Sequence, residues 1–304
     1  MAQILTFGRK APASAAVADF LRGYSIEVMP RTAEKVDDFR ALLPDGTRVY
    51  IAHLDGTEHR DMVATAKRLV EDGFPVMPHF PARIIADRYE LETWIQRYAD
   101  VGVHQALLLG GGVSQPAGDF DNSMQLLETG LFDTYGFTRL HVAGHPEGNR
   151  DIDPDGSDRA VMQALRWKTA FQARTDAQMA IATQFVFESA PVIAWADRLA
   201  AEGVDLPIHI GVAGPAKLQT LIKFSMACGV GASLRVLQRR AADLTKLVMP
   251  FTPADLLTEL AEHKAANPDF NIAQVHVFPL GGITKSAEFM NEFGQSAGAA
   301  QARA

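Results

Sequence analysis

A single carboxylate, Glu27, lies inside the short apolar segment Tyr24–Thr32, which reads as a buried β-strand ending at Pro30. Proline has no N–H to donate to a strand ladder, so Thr32 is placed to cap a helix over Ala33–Leu42. A buried acid is costly unless it is paired or hydrogen-bonded. Burial by itself raises the pKa of a carboxyl group, which suits a proton donor near neutral pH. The segment therefore indicates either a catalytic acid or a structural ion pair.

Further polar residues recur at the ends of the apolar segments that follow. They are His53, His79, Gly110-Gly111-Gly112, His145 with Glu147 and Asn149, and Gln184 with Glu188. A single histidine at a strand end is more often structural than functional. The shared position favours a common site, because the carboxyl ends of parallel strands meet at one edge.

A metal site is one chemistry that fits these residue types. His53, His79, His145 and Glu27 could bind a metal ion that activates a water for hydrolysis. Against this hypothesis, the first strand lacks a His-x-His pair and no carboxylate ends the eighth strand.

An organic cofactor is the second chemistry. The triple glycine Gly110–Gly112 lets backbone approach a flat ring or a phosphate closely. Lys168, on the predicted fifth helix, can meet a phosphate as a point charge. A plain turn for the glycines and an exposed helix face for Lys168 are the alternatives at this point.

Eight apolar strands alternating with amphipathic helices are expected to position these residues. After the strand of Glu27, the predicted strands are Arg48–Leu54, Pro75–Phe80, Gln105–Gly110, Arg139–Gly144, Ala180–Val186, Pro207–Val212 and Ala273–Pro279. Continuously apolar strands are typical of a parallel sheet covered by helices. The pattern predicts a single-domain (β/α)₈ TIM barrel, with an open doubly wound sheet as the runner-up. A lead-in over 1–23, a barrel over 24–295 and a frayed tail over 296–304 are expected.

Composition narrows the class of protein. The chain has 304 residues and a net charge of −7, which argues against a nucleic-acid partner. Cys228 is the only cysteine, so a reducing cytoplasm is the expected location. No signal peptide and no membrane span are predicted. We also expect the chain to form a homo-oligomer.

The motifs of this chain resemble those of the methylenetetrahydrofolate reductase family. They occur in family order and are Ile26–Thr32, Met77-Pro78-His79, Val142–Gly148, Leu165–Lys168 and Ile181–Phe187. The resemblance implies FAD at the carboxyl-end mouth of a (β/α)₈ barrel. It also implies interconversion of 5,10-methylenetetrahydrofolate and 5-methyltetrahydrofolate, usually with NADH or NADPH as electron donor.

The resemblance assigns expected roles to particular residues. Glu27 matches the general acid that protonates N10 of the folate, and Gln184 matches the glutamine that hydrogen-bonds the pterin. The expected cofactor-binding residues are His53, His79, Gly110, Gly111, Gly112, His145, Asn149 and Lys168. Leu218 stands where the family has an aromatic residue that stacks on nicotinamide or folate.

Three departures from the family pattern concern the donor and the direction of reaction. The fourth strand ends in Gly110–Gly112 rather than Arg-Gly-Asp, Leu218 replaces the aromatic residue, and Leu280-Gly281-Gly282 replaces an Asn-Arg pair. A member that oxidises methyltetrahydrofolate in a demethylation pathway, or one that needs a partner protein as electron donor, fits these changes. A non-catalytic folate- or flavin-binding subunit is the remaining alternative.

Overall fold

The eight strands close into a parallel barrel in the order of the sequence. The computed structural model describes residues 15–54, 56–227, 237–238 and 250–301, with side chains to residue 295. The first and last strands pair with each other, Ser25 opposite His276 and Ile26 opposite Val277. The predicted (β/α)₈ barrel is confirmed.

The strands are short, as is usual for such barrels. Their bounds are β1 Ser25–Val28, β2 Val49–Ile51, β3 Val76–Pro81, β4 Gln105–Leu109, β5 Arg139–Gly144, β6 Gln178–Val186, β7 Ile208–Ala213 and β8 Ile272–Phe278.

The described helices cover the outside of the barrel. They are α1 Ala15–Phe20, α2 Pro30–Ala33, α3 His59–Glu71, α4 Arg88–Asp100, α5 Ser123–Glu128, α6 Leu131–Thr134, α7 Arg159–Phe171, α8 Ser189–Ala201, α9 Leu218–Ala227, α10 Ala254–Ala266 and α11 Ile283–Gln301. Side-chain caps fix some starts; the Asp87 carboxylate, for example, accepts from Glu90 N ahead of α4.

The two faces of each strand have different roles. Outward residues such as Ile26 and Val28 pack with the helices in the main core, and burying each such side chain contributes about 1.5–3 kcal/mol. Inward residues meet across the barrel, as Tyr50 of β2 does with His141 of β5. The two-residue period of the strand therefore puts Glu27, between Ile26 and Val28, inside.

The helix predicted over Ala33–Leu42 is wrong. The chain forms only α2, which begins at Pro30, so Thr32 lies in its first turn rather than at its cap. The Arg68 guanidinium of α3 donates to the carbonyls of Ala33, at 3.0 Å, and Val36. Those carbonyls are the acceptors that a longer helix would need, and the segment continues as turns instead.

Some boundaries differ from the predictions. The helix α11 continues past residue 295 to Gln301, since its end is rich in alanine, the strongest helix former. Cys228 and the helix predicted over Gly231–Ala241 lie outside the described residues, apart from 237–238. Within the described ranges, no helix combines the length and apolar character that crossing a membrane requires.

Candidate functional site

Glu27 lies inside the barrel between two histidines from different strands. Its Oε2 is 3.2 Å from His79 Nε2 on β3 and 3.8 Å from His276 Nε2 on β8. The side chain of Glu27 is 17 % exposed, so solvent screens these contacts poorly. Glu27 is thus both an inward carboxylate and one member of an ionic cluster.

The expected rise in the pKa of Glu27 is wrong. Burial does raise the pKa, but the contacts with His276 and His79 outweigh burial and lower it to about 2. The sequence argument considered burial alone, whereas a carboxylate close to hydrogen-bond donors is stabilised in its charged form. Glu27 is therefore ionised at neutral pH in the absence of a ligand.

His79 keeps one ring nitrogen without a hydrogen bond. Its Nε2 lies 3.2 Å from Glu27 Oε2 in an ionic contact but has no hydrogen-bond partner among the described residues. Buried polar atoms are nearly always paired, so a group of this kind at a barrel mouth is suited to a ligand.

Lys168 is a buried cation on α7. It is only 7 % exposed, and no described residue forms a salt bridge or hydrogen bond with it. Burial lowers the pKa of Lys168 to about 8, still high enough for a charged ammonium at neutral pH. The interpretation of Lys168 as part of an exposed helix face is wrong, and an anion is the ligand that this position lacks.

His145 lies near Lys168 and contacts Asn149. Burial, followed by the charge of Lys168, lowers the pKa of His145 to about 4, so its imidazole is neutral. Asn149 Nδ2 is 3.4 Å from His145 Nδ1. Because His145 directly follows β5, the effect of the Lys168 charge on His145 places Lys168 at the carboxyl end of the barrel.

The triple glycine forms a turn after β4 that is held from one side. Gly111 has φ of +101°, and a Cβ there would lie 3.2 Å from Pro81 Cβ, so a larger residue is strained. Arg83 donates to Asp121 at 3.0 Å and to Asp151 at 2.7 Å. These ion pairs join the loop after β4 to the loop after β5, beside the turn.

His53 stacks on Trp94 of α4, with ring centroids 5.4 Å apart and planes at 5°. Burial lowers the pKa of His53 to about 4, and the charge of His79 contributes to that shift. His53 is thus a neutral, half-buried ring beside the site. Among the described residues, no group of three or more His, Cys, Asp and Glu is arranged to hold a metal ion, so the four suggested ligands do not form a metal site there.

Gln184 lies on β6, and Leu218 begins the helix α9 that follows β7. Gln184 falls at an irregularity in the pairing of β6 with β7, between Ala182 and Phe185. Leu218 is 4 % exposed and packs with Phe185, Phe187 and other apolar residues. Leu218 is therefore part of an apolar wall.

A cavity of about 500 Å³ opens between the start of α8 and α10. Phe187, Glu188, Phe251, Asp255 and Glu259 are among its lining residues. Of the polar residues expected at the strand ends only Glu188 lines it, and none of the residues assigned a cofactor or folate role does, so the contacts around Glu27 and Lys168 define the candidate site better.

Several inward residues were missed by sequence reasoning. His141, His209 and His276 were not among the residues predicted for the site. Each is a polar residue flanked by two apolar ones in a strand, as in Leu140-His141-Val142. That alternation, the same as Ile26-Glu27-Val28, could have identified them as lining the barrel.

Comparison with known proteins supports the fold. No family model matches the chain. An uncharacterised protein from Clostridium thermocellum that binds two copies of 5-methyl-5,6,7,8-tetrahydrofolic acid is similar, with a TM-score of 0.55 and 10% identity over 92% of this chain and 97% of that one. At this identity the likeness shows a shared fold.

Two further solved structures are similar but weaker matches. The DHPS of Yersinia pestis, with a pterine-sulfa conjugate, has a TM-score of 0.46 and 12% identity over 90% of this chain and 94% of that one. The dihydropteroate synthase of Thermus thermophilus has a TM-score of 0.45 and 14% identity over 91% of this chain and 94% of that one. At these scores the two structures add no argument about function.

Proposed function

We propose that the protein binds a reduced folate and FAD at the carboxyl-end mouth of its barrel and interconverts 5,10-methylenetetrahydrofolate and 5-methyltetrahydrofolate. One observation carries the proposal: the carboxyl end of the barrel has both an inward acid, Glu27, and a buried cation, Lys168, for which no described residue provides an anion. The motif resemblance supplies the reaction, and the bound 5-methyltetrahydrofolic acid of the Clostridium thermocellum protein supports the choice of a folate.

The residues at the mouth suit a cofactor that carries phosphates. Lys168 would pair with a phosphate, which would supply the anion that no described residue provides. The turn at Gly110–Gly112, the neutral rings of His145 and His53, and the side chain of His79 would contact the rest of the cofactor. Bound FAD would supply hydride transfer, with NADH, NADPH or a partner protein as the source of electrons.

Glu27 would act on the folate. Opening of the methylene bridge requires a proton at N10, and an inward carboxyl can deliver it. Because Glu27 is ionised at rest, it has to receive a proton before it passes one on. Its role is then that of a shuttle, with His79 and His276 holding the carboxylate in place.

A folate-binding barrel without FAD is a second candidate. The lowered pKa of Glu27 favours this reading, since an ionised carboxylate can accept two hydrogen bonds from the N3–H and 2-amino groups of a pterin. In that case Glu27 binds the ring instead of transferring a proton.

Equilibrium binding separates these proposals. The purified protein, supplemented with FAD and passed through gel filtration, should be yellow and should bind 5-methyltetrahydrofolate in a calorimetric titration. Folate binding by a protein that stays colourless would support the second candidate. A protein that binds neither ligand contradicts both.

A further inference from the structure

A layer of polar side chains lies at the amino end of the barrel, opposite the end where Lys168 lies. Arg48 and Arg139 each stand two residues before an inward ring, Tyr50 and His141, so the two-residue period of the strand directs both arginines inward. Glutamines at the starts of neighbouring strands complete the layer. We call the following residues the floor layer: Arg48, Gln105, Arg139, Gln178 and Gln274.

Hydrogen bonds join the members of the floor layer across the barrel. Arg48 Nε donates to Gln105 Oε1 at 2.7 Å, and Arg48 Nη1 donates to Gln274 Oε1 at 3.3 Å. Gln105 of β4 pairs in register with Arg139 of β5, and adjacent strands lie about 4.8 Å apart. Arg139 Nη2 donates to Gln178 Oε1 at 2.7 Å. The two arginines are therefore neighbours of the same glutamine.

The two guanidinium groups have only neutral partners. Among the described residues, no carboxylate forms a salt bridge with Arg48 or Arg139, and the sequence of residues 1–14 contains no Asp or Glu. Burial lowers the pKa of Arg48, and the nearby charge of Arg139 adds to that lowering. Because partly buried like charges are costly without a counter-ion, an anion is the group that the floor layer lacks.

The polar groups that the floor layer has free are mostly donors. A guanidinium has only N–H groups, so a glutamine that bonds it must present its amide oxygen. Gln105 and Gln178 use their oxygens in this way, which leaves their amide NH₂ groups as donors. Gln274 differs, since its amide nitrogen donates to the carbonyl of Gly23. Donors of two guanidiniums and two amides suit a ligand that mainly accepts hydrogen bonds.

Solvent reaches the floor layer without passing through the candidate site. Both arginines are half-buried, and Gln178 is exposed. Arg139 begins β5 and His145 directly follows its end, so the two residues are about 20 Å apart along the strand. A ligand of the floor layer can therefore bind independently of one at the opposite end.

We propose that the floor layer is a second binding site and takes an oxyanion of the phosphate type, either free phosphate or the phosphate group of a small molecule. A guanidinium fork matches two oxygens of one phosphate, and a doubly negative ion balances the charges of Arg48 and Arg139. This site does not depend on the folate and flavin function, because it lies at the other end of the barrel.

Calorimetric titration of the whole protein with sodium phosphate tests the site. Arg139→Gln should weaken phosphate binding at least about tenfold, since it removes a charge-assisted contact. Phosphate should still bind Lys168→Met, whose missing ammonium belongs to the opposite end. Arg60→Gln is the matched control, at a side chain of α3 that is 80 % exposed, and it should bind phosphate as wild type does.

A spectroscopic measurement on the wild-type protein tests the site without relying on the folding of Arg139→Gln. The ¹⁵N spectra of arginine-labelled protein, assigned with Arg48→Lys and Arg139→Lys, should show both Nε–H signals shifting as phosphate is added. Glycerol 3-phosphate then distinguishes the two sources of the anion. Tighter binding than phosphate indicates an organic phosphate, and equal or weaker binding indicates the free ion.

Three results would overturn the proposal. They are equal phosphate affinity in wild type and Arg139→Gln, binding that is lost in Lys168→Met but kept in Arg139→Gln, and no shift of either arginine signal at tens of millimolar phosphate. Wild-type protein that binds phosphate but neither folate nor FAD would overturn the proposed function and leave the floor site standing.

Discussion

His79 Nε2 lies 3.2 Å from Glu27 Oε2, although β3 and β1 are separated in the barrel by β2. The contact therefore crosses the interior and depends on barrel closure. His276 approaches the same oxygen from β8, and together the two histidines keep Glu27 ionised.

Glu27→Gln should retain FAD and lose folate turnover by a factor on the order of 10²–10⁴, the usual contribution of a positioned proton-transfer group. The amide preserves the shape of the side chain but cannot carry a proton to N10. Steady-state assays with 5,10-methylenetetrahydrofolate, with flavin reduction by the electron donor as the control, measure the effect. Wild-type turnover in this variant would remove Glu27 from the mechanism.

The low pKa of Glu27 makes the stability of the protein dependent on pH. The folded value of about 2 lies below the ordinary value of 4.5, so the contribution is fully present above about pH 4.5 and is lost as the pH falls toward 2. Its size is on the order of 3 kcal/mol. Urea unfolding should show that wild type loses more free energy of unfolding than Glu27→Gln between pH 5 and pH 3. Parallel losses in both proteins would contradict the ion-pair account.

Lys168→Met should stabilise the protein without FAD and weaken FAD binding. In the folded state the pKa of Lys168 is about 8 rather than 10.5, so keeping the ammonium charged below pH 8 costs on the order of 3 kcal/mol. Methionine fills a similar volume without that cost. Thermal unfolding at pH 7 and flavin content after gel filtration are the measurements.

Lys67→Met, at an exposed position of α3, is the control for the lysine variant. It should change neither quantity. Unchanged flavin content in Lys168→Met would show that the buried ammonium does not hold the cofactor.

Gly112→Asp should lower the reduction potential of bound flavin. A Cβ at Gly112 meets no atom within 4 Å, so the substitution fits, whereas Gly111 does not tolerate it. Reduced flavin tends to be anionic at neutral pH, and an added carboxylate disfavours that anion by on the order of 3 kcal/mol at an effective dielectric of about 20. That corresponds to roughly 60 mV for a two-electron couple. An equal or higher potential in a potentiometric titration would identify the triple glycine as a plain turn.

The sequence predicts the barrel well because alternating strands and helices are a long-range pattern that survives local errors. The helix expected after Pro30 does not form because the guanidinium of Arg68, far along the chain, donates a hydrogen bond to the carbonyl of Ala33, which that helix would need. Local capping signals cannot reveal a competitor of that kind.

The site is predictable in its residues and less so in its electrostatics. The position of Glu27 in an apolar strand shows that it is buried, but its charge state depends on His276, about 250 residues away. The same limit applies to Lys168, whose helical position looks exposed in sequence and is buried only after α7 packs on the barrel.

Anaerobic mixing of the FAD-loaded protein with 5-methyltetrahydrofolate tests the central proposal most directly. The visible flavin absorbance should bleach, and 5,10-methylenetetrahydrofolate should form in equal amount, while Glu27→Gln should not bleach at a comparable rate. Two results together would contradict the account. The first is a flavin that dithionite reduces but that saturating 5-methyltetrahydrofolate leaves oxidised. The second is a flavin that, once reduced by NADH or NADPH, is not reoxidised by 5,10-methylenetetrahydrofolate.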